Sequence, residues 1–135
     1  MKISDFREKT MKQHSLRFLA LVEESRKRIK EITPQELKEK MDKKEPLSLI
    51  DVREDHEWTK GHIPSAIHVG KGVIERDIEN MIPEMNTPIV VYCSGGFRCA
   101  LVADTLQHMG YTQVSSLDTG LQGWLDAGYD MTRQD

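Results

Sequence analysis

Long apolar runs are missing from this 135-residue chain, so no segment reaches the ~18 residues that a membrane-spanning helix needs. The longest apolar run near the N-terminus, Phe18 to Val22, follows Arg17 and is too short for the core of a signal peptide. Asp5 and Glu8 speak against a transit peptide, a class poor in acids. Cysteine is scarce as well. Cys93 and Cys99 alone cannot frame a disulfide scaffold, and two thiols make a poor zinc site. A reducing compartment, the cytoplasm, is therefore the expected address, with no metal and no cofactor called for. Proline (5) and glycine (9) are too few for a collagenous or low-complexity chain, and no internal repeat is present. What remains, 38% hydrophobic and 30% charged residues, is the composition of one folded soluble domain with at most a helical appendage.

A dominant charge sign is also lacking, since the net charge is only −3. The two ends differ, however: residues 1–45 carry 13 basic and 9 acidic groups, residues 46–135 carry 6 and 13. In the basic head the cations alternate with acids, and Glu23–Lys27 and Glu24–Arg28 sit at helical i,i+4 spacing. That pattern reads as a solvated helix face, so neither nucleic acid nor a membrane surface is expected as a partner. In the acidic body, Arg98 is the only Lys or Arg between Arg76 and Arg133.

From Ser4 to about Lys30 the chain has no Gly or Pro, and its apolar residues fall at mixed 3–4 spacings, predicting one or two amphipathic helices. Leu16, Leu19 and Val22 share a face that should be buried. Thr33-Pro34-Gln35-Glu36 combines a capping box with Pro at the first helical position and opens a helix to about Lys43. Beyond Pro46 four short β-rich runs, 47–52, 66–69, 88–92 and 113–117, alternate with helical stretches at 55–60, 75–81, 97–109 and 121–127. Near-continuous apolar strands alternating with helices predict a parallel sheet covered on both faces, an α/β fold with right-handed crossovers. The boundary between the helical head and this domain falls near residues 30–33.

The segment Val91-Tyr92-Cys93-Ser94-Gly95-Gly96-Phe97-Arg98-Cys99 carries the chemistry. A buried strand ends at Cys93, a small-residue loop follows, and a helix starts near Phe97 or Arg98. Ligands of open α/β sheets bind at this carboxyl end of the strands. Inward-turned backbone N–H groups beside a helix N-terminus make an anion cradle, and the same potential lowers a thiol pKa. The two glycines favour such a turn. Arg98 adds a permanent cation.

Four ordered motifs resemble the rhodanese domain family: Leu49-Ile50-Asp51-Val52-Arg53-Glu54, Gly61-His62-Ile63-Pro64-Ser65-Ala66-Ile67-His68, the loop Cys93 to Arg98, and Gly120-Leu121-Gln122-Gly123-Trp124. The resemblance runs from about residue 32 to 131. It implies a three-layer α/β fold with a mostly parallel five-stranded sheet, here preceded by an N-terminal helical extension (1–31 against 32–135). It also implies a sulfurtransferase in which Cys93 accepts sulfane sulfur as a persulfide and passes it to a thiophilic acceptor. Ser94, Gly95, Gly96, Phe97 and Arg98 would bind the substrate, with thiosulfate as a convenient donor. A protein persulfide or a small-molecule persulfide is an equal candidate. Four residues separate Cys93 from Arg98, whereas related phosphatases and arsenate reductases require five. Three departures stand out: Ser65 where Gly is common, Cys99 where Ser is frequent, and the extra N-terminal helices.

Family members place the equivalents of Asp51 and Arg53 near the active loop, so the pair is expected to support it from behind, or to act as a fold-stabilising ion pair with Glu54 or Glu57. Cys99 is a candidate resolving thiol for a Cys93 persulfide. His62 and Trp124 are expected to pack rather than react. Phe97 either meets the acceptor or caps the pocket. The N-terminal helix covers the sheet, pairs with a second copy, or binds a partner; docking through it without catalysis is the competing reading.

Overall fold

The computed structural model describes residues 2–133. Two helices come first, α1 (Ile3–Met11) and α2 (Leu16–Arg26). Strand β1 (Lys30–Ile32) and helix α3 (Pro34–Asp42) follow, then β2 (Ser48–Asp51), the short α4 (Asp55–Trp58) and β3 (Ile67–His68). The chain ends with α5 (Ile74–Met81), β4 (Ile89–Tyr92), α6 (Arg98–His108), β5 (Val114–Leu117) and α7 (Gly120–Asp126). The five strands form one sheet in the order β1-β5-β4-β2-β3, every pair parallel. No helix among the described residues is long and apolar enough to cross a membrane.

Alternation along β4 builds the two cores. Ile89, Val91 and Cys93 face one layer, where Ile74 and Ile78 of α5 meet Val102 and Leu106 of α6. Val90 and Tyr92 face the other, against Leu37 of α3 and Leu121 and Trp124 of α7. All four residues of β4 are buried, as a central strand covered on both faces requires.

The predicted Thr33 capping box forms: the Thr33 hydroxyl accepts from the Glu36 amide and the Glu36 carboxylate accepts from the Thr33 amide. Gly110, at φ +111°, follows the end of α6. Ser65 also adopts a left-handed φ of +72°, which explains why glycine suits that position. The sequence reading missed β1. It is three residues long, begins with two charged side chains, and owes its existence to β5, where Lys30 pairs with Ser115 and Ile32 with Leu117. It straddles the expected boundary at residue 31–32.

The helical head departs from expectation in its details. α2 packs on α6 through Val22, which is fully buried with Ala100 and Phe97. Leu16, expected on the same buried face, is 84% exposed: the packed face runs through Phe18, Val22 and Ser25, and at ~100° per residue Leu16 lies about 120° around the helix from Val22. Polar groups lock the seam: Ser25 donates to Asp104 at 2.9 Å, and Arg28 donates to the same carboxylate at 2.6 Å.

Candidate active site

Cys93 sits at the carboxyl end of β4 and is 1% exposed. Its Sγ accepts from the Gly96 N–H at 3.3 Å and the Cys99 N–H at 3.4 Å. Burial pushes the thiol pKa up. The Cys99 thiol and amide, the Arg98 guanidinium and the Gly96 amide outweigh that, and Cys93 is held at about 6. The lowering favours the thiolate form, which sits in a cradle of amides.

Two glycines permit this geometry. Gly96 has φ +91°, and a Cβ there would lie 2.1 Å from the Asp118 carbonyl oxygen. Gly120 (φ +62°) lets the start of α7 approach, so that Leu121 and Gln122 donate their amides to the Cys93 and Ser94 carbonyls at 2.8 and 2.9 Å. Gly95 carries no such requirement: its φ is not left-handed and a Cβ would make ordinary contact with Phe97. Of the amides between Ser94 and Arg98, the expected cradle, only that of Gly96 donates to sulfur here; the other donor is Cys99.

Arg98 opens α6, and its guanidinium forms a fork with Glu57 at 2.7 and 3.0 Å. Ser94 Oγ donates to the same carboxylate at 3.0 Å. Arg98 holds the Glu57 carboxyl down at about 2, and Glu57 in turn raises the guanidinium. Glu57 is the residue missed as a partner of the loop. The signal lay in the chain: a lone arginine in an acidic body calls for an acid. Which acid answers depends on α4, whose capping box joins Glu54 and Glu57.

Asp51 and Arg53 form a buried bidentate pair at 2.8–3.1 Å, and Arg53 also donates to the Gly61 carbonyl at 2.6 Å. They tie the end of β2 to the Gly61 turn. Their pairing is with one another rather than with Glu54 or Glu57. His62 stacks flat on Trp58, 3.6 Å between ring centroids, with Nδ1 against the Ile63 carbonyl. Trp124 is buried and donates to the Asp130 carbonyl at 2.7 Å. Both pack, as expected.

Cys99 lies closer to Cys93 than the helix position alone suggests: the sulfurs are 3.5 Å apart. Burial and the neighbouring Cys93 raise its thiol well above the ordinary range. Ser116 donates to its sulfur at 3.0 Å. Phe97 is 3% exposed, under the N-terminal helices, with the Arg26 guanidinium 4.9 Å from its ring centre. Arg26 also donates to the Gly96 carbonyl at 3.1 Å. The helical head is thereby fastened to the loop itself. Among the described residues, no group of three or more His, Cys, Asp or Glu is arranged to hold a metal.

The rhodanese-like domain family matches residues 33–127. The chain belongs to that family. A putative sulfurtransferase of Bacillus subtilis, YtwF, is 38% identical over 96 residues, which cover 71% of this chain and 90% of that protein. A putative sulfur carrier protein, YrkF, from the same organism is 32% identical over 71% of this chain, but the match spans only 51% of YrkF. A tRNA uridine(34) hydroxylase of Chlamydia pneumoniae is 34% identical over 70% of this chain and 31% of its own length. Among solved structures, a Rhodopseudomonas palustris protein described as a possible tyrosine phosphatase superposes with TM-score 0.79 at 27% identity, covering 85% of this chain and 93% of that one. A thiosulfate sulfurtransferase from Pseudomonas aeruginosa does so with TM-score 0.73 at 31% identity, covering 78% of this chain and 20% of that one. The rhodanese-like chain thus shares its domain with proteins of several named activities.

Proposed function

We propose that this rhodanese-like protein is a sulfurtransferase that carries sulfane sulfur on Cys93. The observation behind this reading is the Cys93 sulfur itself: buried, held at about 6, and faced by two backbone amides beside Arg98. With thiosulfate as donor, the thiolate attacks the outer sulfur, the S–S bond to the sulfonate breaks, and sulfite leaves with the electron pair. Cys93 is then a persulfide. An anionic acceptor such as cyanide takes the terminal sulfur and returns Cys93 to the thiolate. No general base is needed, because each attacking group is already an anion.

Ser94, Gly95, Gly96, Phe97 and Arg98 line or shape the place where donor and persulfide sit. Arg98 supplies the positive potential, and Glu57 fixes its direction. Asp51 and Arg53 act one step further back, by holding the turn at Gly61. In this reading Cys99 donates its S–H to the Cys93 thiolate. Its raised pKa makes it a weak nucleophile, which favours donation over resolving the persulfide. The two free, buried thiols suit a reducing compartment. Four residues between Cys93 and Arg98 favour a sulfur atom over a tetrahedral phosphate as cargo.

Intact-mass spectrometry after thiosulfate treatment tests the reading. The expected result is a gain of one sulfur atom that cyanide discharges and that Cys93→Ser abolishes. Phosphate release from an aryl phosphate in place of sulfur loading would overturn it. So would the absence of any adduct from both thiosulfate and glutathione persulfide in folded protein, which would return the docking module as the better account.

A further inference from the structure

Arg26, in the last turn of α2, reaches across to the active loop and is built in rather than laid on the surface. Its side chain is only 6% exposed. One terminal nitrogen donates to the Gly96 carbonyl at 3.1 Å and the other to Glu23 at 3.1 Å. Nε lies 3.7 Å from the Glu31 carboxylate of β1, which is itself tied to Arg7 of α1. The guanidinium also stands over Phe97, whose ring meets His14 at 4.5 Å between centroids. Burying a guanidinium costs free energy unless its charge is paired and its N–H groups find acceptors. Glu23 and Glu31 pair the charge within the head. The third contact, to Gly96, is the one that points outside it.

Gly96 is where the loop most needs holding. With φ +91° and no side chain it has the most freedom to rotate, and its N–H is one of the two amides on the Cys93 sulfur. The Asp118 carbonyl leaves no room for a Cβ, so no side chain of its own can anchor it. Arg26 supplies the anchor from outside. The N–H of Gly96 is held on sulfur and its C=O on a cation, so both ends of the residue are fixed. Such a charge-assisted bond is roughly twice as strong as a neutral one. A rotation that turned the carbonyl away would also carry Phe97, the residue before Arg98. The head encloses this region as well: α1 and the turn after it line one cleft with Cys93 and Gly95, through Phe6, Thr10 and His14.

Building on the proposed sulfur transfer, we propose that Arg26 is a positioning residue for the reactive sulfur, clamping the Gly96 carbonyl so that the Gly96 N–H stays aimed at Cys93 Sγ. The N-terminal helices thereby become part of the persulfide cradle. Arg26 acts only through Gly96, since it neither touches Cys93 nor lines the cleft. The two arginines of the site then have separate tasks. Arg98 supplies positive potential beside the sulfur, and Arg26 keeps an amide in place.

The test replaces Arg26 and reads the loop directly. Arg26→Met keeps an apolar stem over Phe97 and removes every donor; Arg26→Lys keeps a cation and a donor of nearly the same reach. In Arg26→Met, hydrogen exchange of the Gly96 amide, followed by NMR, should accelerate at least ~tenfold. The midpoint of Cys93 alkylation against pH should rise by about 0.5, and loading from thiosulfate at pH 7 should slow about threefold. Arg26→Lys should recover at least about half of each change. Val22→Ala, which loosens the same helix without touching Gly96, should leave the alkylation midpoint in place. Should Arg26→Met not fold, Arg26→Gln, too short to reach Gly96, carries the same expectations. An unmoved midpoint or unmoved Gly96 exchange in the Arg26 variant, an equal midpoint shift in Val22→Ala, or a lysine variant no better than the methionine one would overturn the inference. Alkylation and exchange need no sulfur donor. Wild-type protein that loads from neither thiosulfate nor glutathione persulfide would therefore overturn the sulfurtransferase reading, while those two measurements still decide whether Arg26 sets the sulfur.

Discussion

The active loop and the helical head meet at Phe97, yet they are held in shape by different means. The loop from Cys93 to Arg98 is fixed by its backbone: two amides on one sulfur, a left-handed Gly96 with no room for a side chain, and two carbonyls capped by α7. The head is fixed by side chains: Val22 against Ala100 and Phe97, and Ser25 and Arg28 on Asp104. Backbone-built geometry tolerates almost no change in residue type at the glycine. Side-chain-built geometry yields by degrees. The chemistry of the protein stands on the first, and the entrance to it on the second.

Breaking the loop should cost most. Gly96→Ala forces a Cβ against the Asp118 carbonyl in a left-handed backbone, and should destabilise the fold by roughly 2–4 kcal/mol in urea unfolding while also abolishing sulfur loading. Breaking the head should separate the two regions. Val22→Ala removes two buried methyl groups at the seam and should cost about 2 kcal/mol. The Cys93 pKa should remain near its wild-type value, measured by alkylation rate against pH, because none of its partners lies in the head.

A finer cut lies within the loop's own support. Cys99→Ala removes an S–H donor and should raise the Cys93 pKa by about 1, a hydrogen bond to a charged group being worth about 1.5 kcal/mol, whereas Cys99→Ser should hold it nearly constant. The lifetime of the Cys93 persulfide should be the same in wild type and Cys99→Ser; a longer life in the serine variant would make Cys99 a resolving thiol. The smallest effect is a gain. Ser65→Gly relieves a left-handed φ and should stabilise the protein by about 1 kcal/mol in the same urea assay, leaving loading as it was.

The two regions also differed in how far they could be read from the sequence. The loop was legible because its determinants are local: the order Cys93, small residues, Arg98, then a helix, is itself the geometry. The sheet was legible where strands are apolar on both faces, as in β4, and not where a three-residue strand borrows its order from a neighbour, as β1 does from β5. Glu57 escaped because its partner Arg98 lies 41 residues away, and spacing carries no information at that range. The position of α1 beside Cys93 escaped for the same reason. Helical periodicity says that Val22 is buried, but not that Ala100 and Phe97 bury it. Leu16 shows the converse, an apolar residue left in solvent because the packed face of its helix runs through Phe18, Val22 and Ser25 and not through Leu16.

The account rests on Cys93 being a thiolate at neutral pH, held there by the loop. The rate of Cys93 alkylation by iodoacetamide, followed by intact mass from pH 4 to 10 in the Cys99→Ser background, measures that state without relying on any donor or acceptor. A folded-state pKa below the ordinary thiol value means that reactivity is low at acid pH, where the thiol is protonated, and complete above the midpoint. The account predicts a half-maximal rate near pH 6 and a plateau by about pH 8. A midpoint between 8.5 and 9, the value of an unassisted thiol, would contradict it.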